Sequence, residues 1–382
     1  MSTKMEQRPM YLNVIQAKYG DCMILVSGSS KQPANKTHYF LIDGGPASTY
    51  NASLKKELQK IKNKRGKLDL LIVSHVDNDH INGLLQMMEE LQGQRKNNEA
   101  EMIEVKARWY NAFSQTIGKG NNIEGRLNDV LVGTRANYPH AKIMTRAVVK
   151  GIREGHDLNQ DSQNLRIPIN PHFNHRPIII GNGSKDVKIG NINLQIVGPT
   201  KKNLDELKKK WLDWLEKYEQ SLTKRADYRL AIQADKSIPN LSSIMFIAEE
   251  DGKKILFTGD GLGEHLVYGL KHSKALNSTG EIHVDVLKVP HHGSERNVTE
   301  KFFKVITADK YLISANGRDD NPSLTTLRWI AETAKEQHRL IEIIDTNTTP
   351  IVEQFIKKYP KDEYGYKLKI MKKNYHSMIL RI

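Results

Sequence analysis

The chain has 382 residues, 38% of them hydrophobic and 27% charged, which is typical of a water-soluble globular protein. Its 58 Lys and Arg residues exceed the 44 acidic residues, and the formal net charge of +14 favours a polyanionic partner such as nucleic acid. The longest apolar runs have the length of strands, which argues against a membrane-spanning helix. The single cysteine, Cys22, excludes an internal disulfide and a cysteine-based zinc cluster. With no apolar signal region in the first residues, we expect a cytoplasmic protein.

The first quarter of the chain is predicted to alternate strands with helices. Three short β-rich runs separated by turn residues predict a meander of hairpins: 10–16, 22–27 and 38–43. A helix is expected around 51–63. The unbroken apolar run LDLLIVS (68–74) then indicates a strand that is covered on both faces. The periodic Leu and Met residues of 81–92 predict a helix whose apolar side chains belong to the core.

The region 95–235 is predicted to be an insertion or elaboration, because it is rich in Gly, Asn and charged residues and has little periodicity. Strands are expected within it at 104–111 and 191–199. A basic helix is predicted at about 203–222, where apolar residues recur at helical spacing. The opposite face of this helix carries three consecutive lysines that either are solvated or contact a phosphate backbone: Lys208, Lys209 and Lys210.

The last part of the chain again alternates strands and helices. An Asp-Gly pair joins 242–250 to 253–260 and predicts a hairpin. Further strands are expected at 284–290, 310–316 and 341–346, helices at 298–306 and 323–337, and a basic tail at 367–373. Because both halves are β-rich and interleaved with helices, residues 1–382 are predicted to form one α/β (α+β) domain. Two sheets would pack face to face beneath covering helices.

The stretch SHVDNDHINGL (74–84) carries four metal-competent side chains within six residues: His75, Asp77, Asp79 and His80. It follows an apolar strand and precedes a helix, so these side chains can point into one cavity above the strand ends. Capping of the helix would explain one of the aspartates but not all four residues. The stretch therefore predicts a metal site.

Two distant segments repeat the same arrangement of an apolar strand followed by a possible ligand. TGDGLG (258–263) places Asp260 after one strand, and KVPHHGS (288–294) places His291 and His292 after another. Taken singly, an aspartate beside glycine is ordinarily a turn residue, and a pair of histidines ordinarily lies on the surface. Together with residues 75–80, they predict that three strands deliver ligands to one edge.

These motifs resemble those of the metallo-β-lactamase superfamily. The matching pieces are LIDGG (41–45), SHVDNDHINGL (74–84), FTGDGL (257–262) and KVPHHGS (288–294). Aspartate at position 77, where many members carry histidine, makes the chain most similar to the metallo-hydrolase domain of the DNA-uptake protein ComEC. The resemblance implies an αββα sandwich with a two-metal site between the sheets, and it covers most of 10–350 except 95–235.

The resemblance also implies how the metal ligands are shared. His75 and Asp77 would hold one metal together with one of the paired histidines, for which His291 is preferred over His292. Asp79 and His80 would hold the second metal, and Asp260 would bridge the two. Asp43 either supports the site from behind or is a simple turn residue before two glycines.

Two departures from the family pattern concern histidines. Many members carry one more histidine before the bridging aspartate, and four are available here in the unmatched region: His140, His156, His172 and His175. A late Gly-His-Pro histidine is replaced by Asn321, which is a weaker ligand for a transition metal. Asp319 or Asp320 would be the nearest substitute for that ligand.

Catalytic and substrate-binding roles follow from the same pattern. Asp79 is expected to orient the attacking water, and His292 to donate a proton to the leaving oxygen or to hydrogen-bond the phosphate. Ser294 and Lys288 would contact the phosphate, although a lysine in an apolar strand can equally extend to the surface. Asn321 is also predicted to bind the substrate.

The leading functional prediction is a metal-dependent phosphodiesterase that hydrolyses nucleic acid with a metal-activated hydroxide, that is, a nuclease. Two divalent ions are expected, manganese or zinc, because the ligand set is rich in carboxylate and contains no thiolate. One alternative is a phosphodiesterase for a small molecule, such as a cyclic nucleotide or a phosphocholine compound. Another is a degenerate, non-catalytic domain that binds nucleic acid or a partner. A partner protein for substrate delivery is a further expectation from the resemblance.

Overall fold

The computed structural model describes residues 10–28, 37–111, 155, 157–181, 186–223 and 239–382. These residues form two β-sheets that pack face to face. The first sheet has the order β14-β1-β2-β3-β4-β5. Its strands are β1 (Met10–Ile15), β2 (Met23–Ser27), β3 (His38–Ile42), β4 (Leu68–Ile72), β5 (Arg108–Trp109) and β14 (Ser377–Arg381). β14, β1, β2 and β3 are antiparallel neighbours, which confirms the predicted meander, whereas β3, β4 and β5 run parallel.

The second sheet has eight strands in the order β13-β12-β11-β10-β9-β8-β7-β6. They are β6 (Val187–Ile189), β7 (Ile192–Gly198), β8 (Met245–Glu250), β9 (Lys253–Phe257), β10 (Ile282–Lys288), β11 (Ile306–Ile313), β12 (Ile341–Asp345) and β13 (Tyr366–Ile370). The first four form an antiparallel meander, including the predicted β8–β9 hairpin. From β9 to β13 every pairing is parallel. The carboxyl ends of the parallel strands therefore meet at one edge.

Three hydrophobic layers hold the sheets and helices together. The layer between the sheets contains Leu12 and Phe40 of the first sheet and Phe246 and Ile344 of the second. On the outer side of the first sheet, strand residues pack against α1 (Lys55–Asn63) and α2 (Asn78–Lys96). β4 is buried along its whole length because helices cover one of its faces and the second sheet covers the other. The unbroken apolar run of its sequence predicted this environment.

The outer face of the second sheet is covered by four helices that share one hydrophobic cluster. They are α4 (Gly263–His272), α5 (Glu300–Val305), α6 (Leu324–Glu336) and α7 (Pro350–Lys358). A longer helix, α3 (Lys201–Thr223), follows β7, and a short helix, α8 (Lys361–Tyr364), precedes β13. The layers follow the order helices, first sheet, second sheet, helices. This order confirms the predicted α/β class and αββα sandwich.

Three expectations about elements are corrected. The basic stretch 367–373 does not close the chain as a tail, because it begins in β13, which ends at Ile370, and β13 and β14 each add an edge strand to one sheet. The region 95–235 is not an insertion throughout, because β6 and β7 within it are strands of the second sheet. The strand expected at 104–111 is reduced to Arg108–Trp109. Residues 112–154, which make up much of the predicted insertion, lie outside the described part of the chain.

Within the described residues, no helix combines the length and the apolarity needed to cross a membrane.

Candidate metal centre

Five chain segments end at the same edge between the two sheets. The β1–β2 loop supplies Asp21, and β3 ends just before Asp43. The β4–α2 connection supplies the motif 75–80, with Asp77 as the residue that precedes the first turn of α2. The turns after β9 and β10 supply Asp260, His291 and His292. Since parallel strands end at this edge, residues far apart in sequence are brought together here.

The first group of ligand atoms lies around Oδ2 of Asp260. His75 Nε2 is 3.8 Å from this oxygen, and His291 Nε2 is 3.6 Å from it. Asp77 Oδ2 lies 3.5 Å from His75 Nε2 and completes the group. These three contacts link the four residues that the sequence predicted for the first metal, and ligand atoms of His75 and Asp260 also lie within 4.8 Å of one on His80.

The second group shares Asp260 with the first. His80 Nε2 lies 3.4 Å from Asp260 Oδ1, and His292 Nε2 lies 3.6 Å from Asp260 Oδ2. His292 Nε2 is also 3.4 Å from Asp79 Oδ2. His291 and His292 therefore both face the shared carboxylate, one in each group, although the sequence pattern favoured only one of them as a ligand.

These atoms fit divalent metals. Four of them are buried and have no hydrogen-bond partner among the described residues: His75 Nε2, His80 Nε2, His292 Nε2 and Asp260 Oδ1. Buried polar atoms left without a partner are costly, so they point to a ligand. Ligand atoms about 2.0–2.1 Å from a tetrahedral zinc lie roughly 3.3–3.4 Å from one another. Three of the separations in each group, at 3.4–3.8 Å, are close to this spacing.

Three of the imidazoles are oriented by hydrogen bonds on the ring nitrogen that faces away from the site. Nδ1 of His80 donates to Asp43 Oδ2 at 2.9 Å, and Nδ1 of His291 donates to Asn297 Oδ1 at 2.7 Å. Nδ1 of His292 donates to the Ser314 carbonyl oxygen at 2.8 Å. This arrangement leaves each Nε2 lone pair available to a metal and is the usual support of a metal-binding histidine.

Asp43 and Asn297 hold more than one part of the centre. Asp43 also accepts hydrogen bonds from the Ser74 backbone N–H and from the Ser74 hydroxyl, each at 2.7 Å. Asn297 donates to the Asp260 carbonyl oxygen at 3.0 Å, so it fixes two ligands at once. Of the two alternatives for Asp43, these contacts support a residue that orients the candidate ligands, not a simple turn residue. Asn297 was missed, because an Asn six residues after a histidine gives no signal in the sequence.

The backbone of the centre is strained at three residues. Asp43, His291 and His292 have φ values of +55°, +48° and +57°, a left-handed conformation that non-glycine residues seldom adopt. Gly20 is required for a different reason, since a Cβ on it would lie 1.9 Å from the Asp79 carbonyl oxygen. Such strain persists where surrounding contacts hold it, and it is common at functional sites.

The electrostatics of the centre link its carboxylates to its imidazoles. Burial by itself would raise the pKa of Asp260, but the neighbouring charges of His291, His292 and His80 hold it well below its usual range. Burial likewise opposes charge on His292, yet Asp260, Asp21 and Asp79 raise its pKa to about 10. The pKa of His80 is raised well above its usual value by Asp260 and Asp43, which outweigh its burial. Without metal, Asp260 is therefore ionised and His80 and His292 are protonated at neutral pH, and a cation would replace the protons.

The three residues predicted to contact only the substrate are all buried. Lys288 is 1% exposed and its Nζ lies 2.8 Å from Asp21 Oδ2, which contradicts both a phosphate contact and an extension to the surface. Ser294 is buried, and its hydroxyl accepts from the Arg296 backbone N–H at 3.4 Å. Asn321 is buried in the adjacent loop, where the Ser323 N–H donates to the Gly293 carbonyl oxygen. Substrate roles for Ser294 and Asn321 stay predictions.

The other candidate ligands lie elsewhere or outside the described residues. Asp319 and Asp320 sit in an exposed turn and belong to neither group. His172 accepts a hydrogen bond from Trp109 Nε1, and the exposed His175 contacts the Ile169 carbonyl oxygen. His140 and His156 fall outside the described part of the chain.

Asp21 is the carboxylate that the sequence prediction missed. Its ligand atoms lie within 4.8 Å of those of Asp260 and His292, and also of those of Asp43 and His80. The sequence signal was an aspartate after glycine just before a strand, whereas Asp260 follows one.

Comparison with known families agrees with this geometry. Residues 31–175 match the Metallo-beta-lactamase superfamily. The matched superfamily domain contains Asp43 and the whole motif 75–80, whereas Asp260, His291 and His292 lie beyond the matched residues. Because the superfamily consists mostly of hydrolases and typically binds divalent metals, the match supports a metal-dependent hydrolase. No curated protein matches the chain.

Proposed function

We propose that the protein is a metal-dependent phosphodiesterase that acts on nucleic acid. The observation that carries this proposal is the pair of ligand groups that share Asp260, with three imidazoles turned so that each Nε2 faces the shared site. Such a bridged pair suits hydrolysis of a bond whose transition state gathers negative charge, as in a phosphodiester.

The ligand groups assign residues to two divalent ions. The first would be held by His75, Asp77, His291 and Asp260, and the second by Asp79, His80, His292 and Asp260. When bound, the two ions would supply Lewis-acid stabilisation of the charge that develops on the phosphate. Zinc and manganese both suit a set of four imidazoles and three carboxylates, and the metal analysis decides between them.

Asp79 and His292 take different parts in this assignment. The side chain of Asp79 is 26% exposed, so it can orient an attacking water while its other oxygen faces His292. His292 is only 6% exposed and its Nε2 faces two carboxylates, so we assign it to the second ligand group instead of to proton donation. It takes the place of the late family histidine for which the chain has Asn321.

Charge and resemblance support nucleic acid as the substrate. The net charge of +14 favours a polyanion, and the described first half of α3 carries exposed lysines that include Lys201 and Lys209. The similarity of the motif 74–84 to the ComEC domain favours DNA. A partner protein that delivers the substrate belongs to the same proposal.

The test combines metal content with cleavage. Purified protein is analysed for bound metal and incubated with linear and circular DNA and RNA in the presence of manganese, zinc or magnesium. We expect two metals per chain and cleavage that Asp79→Ala abolishes. Asp319→Ala is the matched control, because Asp319 is an exposed aspartate outside both ligand groups and its loss should leave cleavage intact.

The other outcomes separate the alternatives. If the protein binds metal but hydrolyses only small phosphodiesters, its substrate is a small molecule and not nucleic acid. Absence of metal after manganese is supplied would leave a degenerate binding domain as the better account. Full activity of Asp79→Ala would contradict the assignment of the second ligand group.

A further inference from the structure

We propose that Asp21 and Lys288 form a buried positioning pair that sets His292 and Asp79 for the second metal. The proposal rests on the proposed function, since it concerns how tightly that ligand group binds metal. It also gives Lys288 a role other than the phosphate contact that its sequence position suggested.

The pair connects the β1–β2 loop of the first sheet to β10 of the second, next to the second ligand group. Asp21 lies in the β1–β2 loop of the first sheet, and Lys288 is the last residue of β10 in the second. Both are 1% exposed, and their charged atoms are 2.8 Å apart. Lys288 Nζ also donates to the Val289 carbonyl oxygen at 3.0 Å. Removing Asp21 alone would leave the Lys288 ammonium buried without this counter-charge, and removing Lys288 alone would deprive Asp21 of its nearest cation, so either change is costly.

The pair reaches the second ligand group through two contacts. Asp21 Oδ1 lies 3.5 Å from His292 Nδ1, on the side of the ring opposite the atom that faces the metal site. The Asp21 backbone N–H donates to the Asp79 carbonyl oxygen at 3.2 Å. Ser314 orients His292 through its backbone carbonyl oxygen. The hydroxyl of the same residue donates to the Gly20 carbonyl oxygen at 2.6 Å. The β1–β2 loop is therefore tied to both Asp79 and His292.

Lys288 also explains why Asp21 acts as a support and not as a further ligand. Asp21 is close enough to Asp260 and His292 to bind a cation with them. Its Oδ2 forms an ion pair with the Lys288 ammonium at 2.8 Å. This buried lysine offsets the charge of Asp21, so that the carboxylate can face His292 without drawing a metal away from Asp79.

The experiment measures zinc affinity and folding separately. Zinc alone is titrated into metal-free protein against a chromophoric chelator, and thermal unfolding of the metal-free protein is followed in parallel. The variants are Lys288→Met, Asp21→Asn combined with Lys288→Met, and Asp21→Glu, the last two of which keep the buried charges balanced. Asp69→Asn combined with Lys106→Met is the control, because this pair also joins a buried carboxylate to a lysine but lies away from the centre.

We expect Lys288→Met to lower the unfolding temperature and the double variant to restore most of it. In the double variant and in Asp21→Glu, affinity for the second zinc should fall about 10- to 100-fold while the first is little changed, as for other residues that orient metal ligands. The control pair should leave both affinities unchanged.

Two results would overturn the inference. If the folded double variant and Asp21→Glu bind the second zinc as tightly as the native protein, the pair only neutralises charge and the proposed function stands without it. If the native protein binds fewer than two zinc ions, there is no second site to position. Binding of no metal at all would remove the proposed function as well.

Discussion

The imidazoles of the centre differ in what holds them, and this difference gives each a fixed orientation. His80 is held by a carboxylate, His291 by an amide and His292 by a backbone carbonyl. The sequence predicted these residue types as ligands, but it could not show which ring nitrogen faces the candidate metal site. That choice depends on acceptors that lie 6 to 37 residues away along the chain.

Asp345 is a buried carboxyl group outside the ligand groups, and it makes stability depend on pH. It ends β12, and burial raises its pKa to about 8 even though the backbone N–H groups of Asn347, Thr346 and Ala315 favour its charged form. The unfolded chain titrates near 3.9, so the folded protein binds the extra proton between about pH 4 and pH 8. The contribution of this group to stability is therefore present at low pH and is lost as the pH rises through that window.

The substitution Asp345→Asn tests this dependence. Asparagine resembles the neutral carboxyl group and can still accept the hydrogen bond from the Asn347 N–H. We expect the variant to have a higher unfolding midpoint than the native protein, by a small amount at pH 5 and by a much larger amount at pH 9. Urea unfolding at both pH values measures the difference. An equal effect at the two pH values would show that Asp345 is ionised in the folded protein throughout.

At the scale of elements, the β4–α2 unit combines a buried strand with a ligand-bearing helix start. Its sequence pattern was sufficient to predict both elements, because the strand is apolar throughout and the helix has periodic Leu and Met residues. Asp79 in the first turn of α2 also suits the positive end of the helix dipole. The local sequence therefore determined the position of the first four ligands along the chain.

Helix α3 is the element through which we expect nucleic acid to bind. Lys209 is exposed, Lys208 is partly buried, and Lys210 lies 3.3 Å from Glu206 on the same helix. Reversing all three lysines to Glu should weaken DNA binding and reduce the slope of log affinity against log salt by up to about 3. Binding measured at several salt concentrations gives this slope.

A matched triple variant controls for net charge. Lys357, Lys358 and Lys361 are exposed at the end of α7 and in α8, and their reversal to Glu changes the net charge by the same amount. If the two triple variants lose affinity equally, α3 contributes only to the overall charge. An unchanged slope after reversal of Lys208, Lys209 and Lys210 would mean that this face of α3 is merely solvated.

At the scale of the whole molecule, the last strand completes the sheet that the first strand begins. β14 pairs antiparallel with β1, with Leu380 opposite Leu12 and Ile379 opposite Asn13. Successive residues of a strand face opposite sides, so Leu380 enters the layer between the sheets at 1% exposure while Ile379 is 52% exposed.

These neighbouring residues make a matched pair for a stability measurement. Leu380→Ala should lower the free energy of unfolding by about 2–5 kcal/mol, because it leaves a cavity in the core. Ile379→Ala should change it by no more than about 0.5 kcal/mol. Urea unfolding of both variants checks the result, and similar losses would indicate that β14 does not hold this register in solution.

The sequence by itself determined the elements and the residue types of the centre. Alternation, apolar runs and turn residues predicted the meander and the β8–β9 hairpin, and three strand-end motifs predicted His75, Asp79, His80 and Asp260 as neighbours. These features depend on residues that are close in the chain, where periodicity and spacing carry the information.

Only the tertiary structure decided how distant segments meet. It joined β14 to β1, placed β6 and β7 in the second sheet, and buried Lys288 against Asp21. It also turned both His291 and His292 toward Asp260. These contacts depend on which strands are neighbours and on which side chains are buried against each other. Neither is encoded in the local spacing of residues.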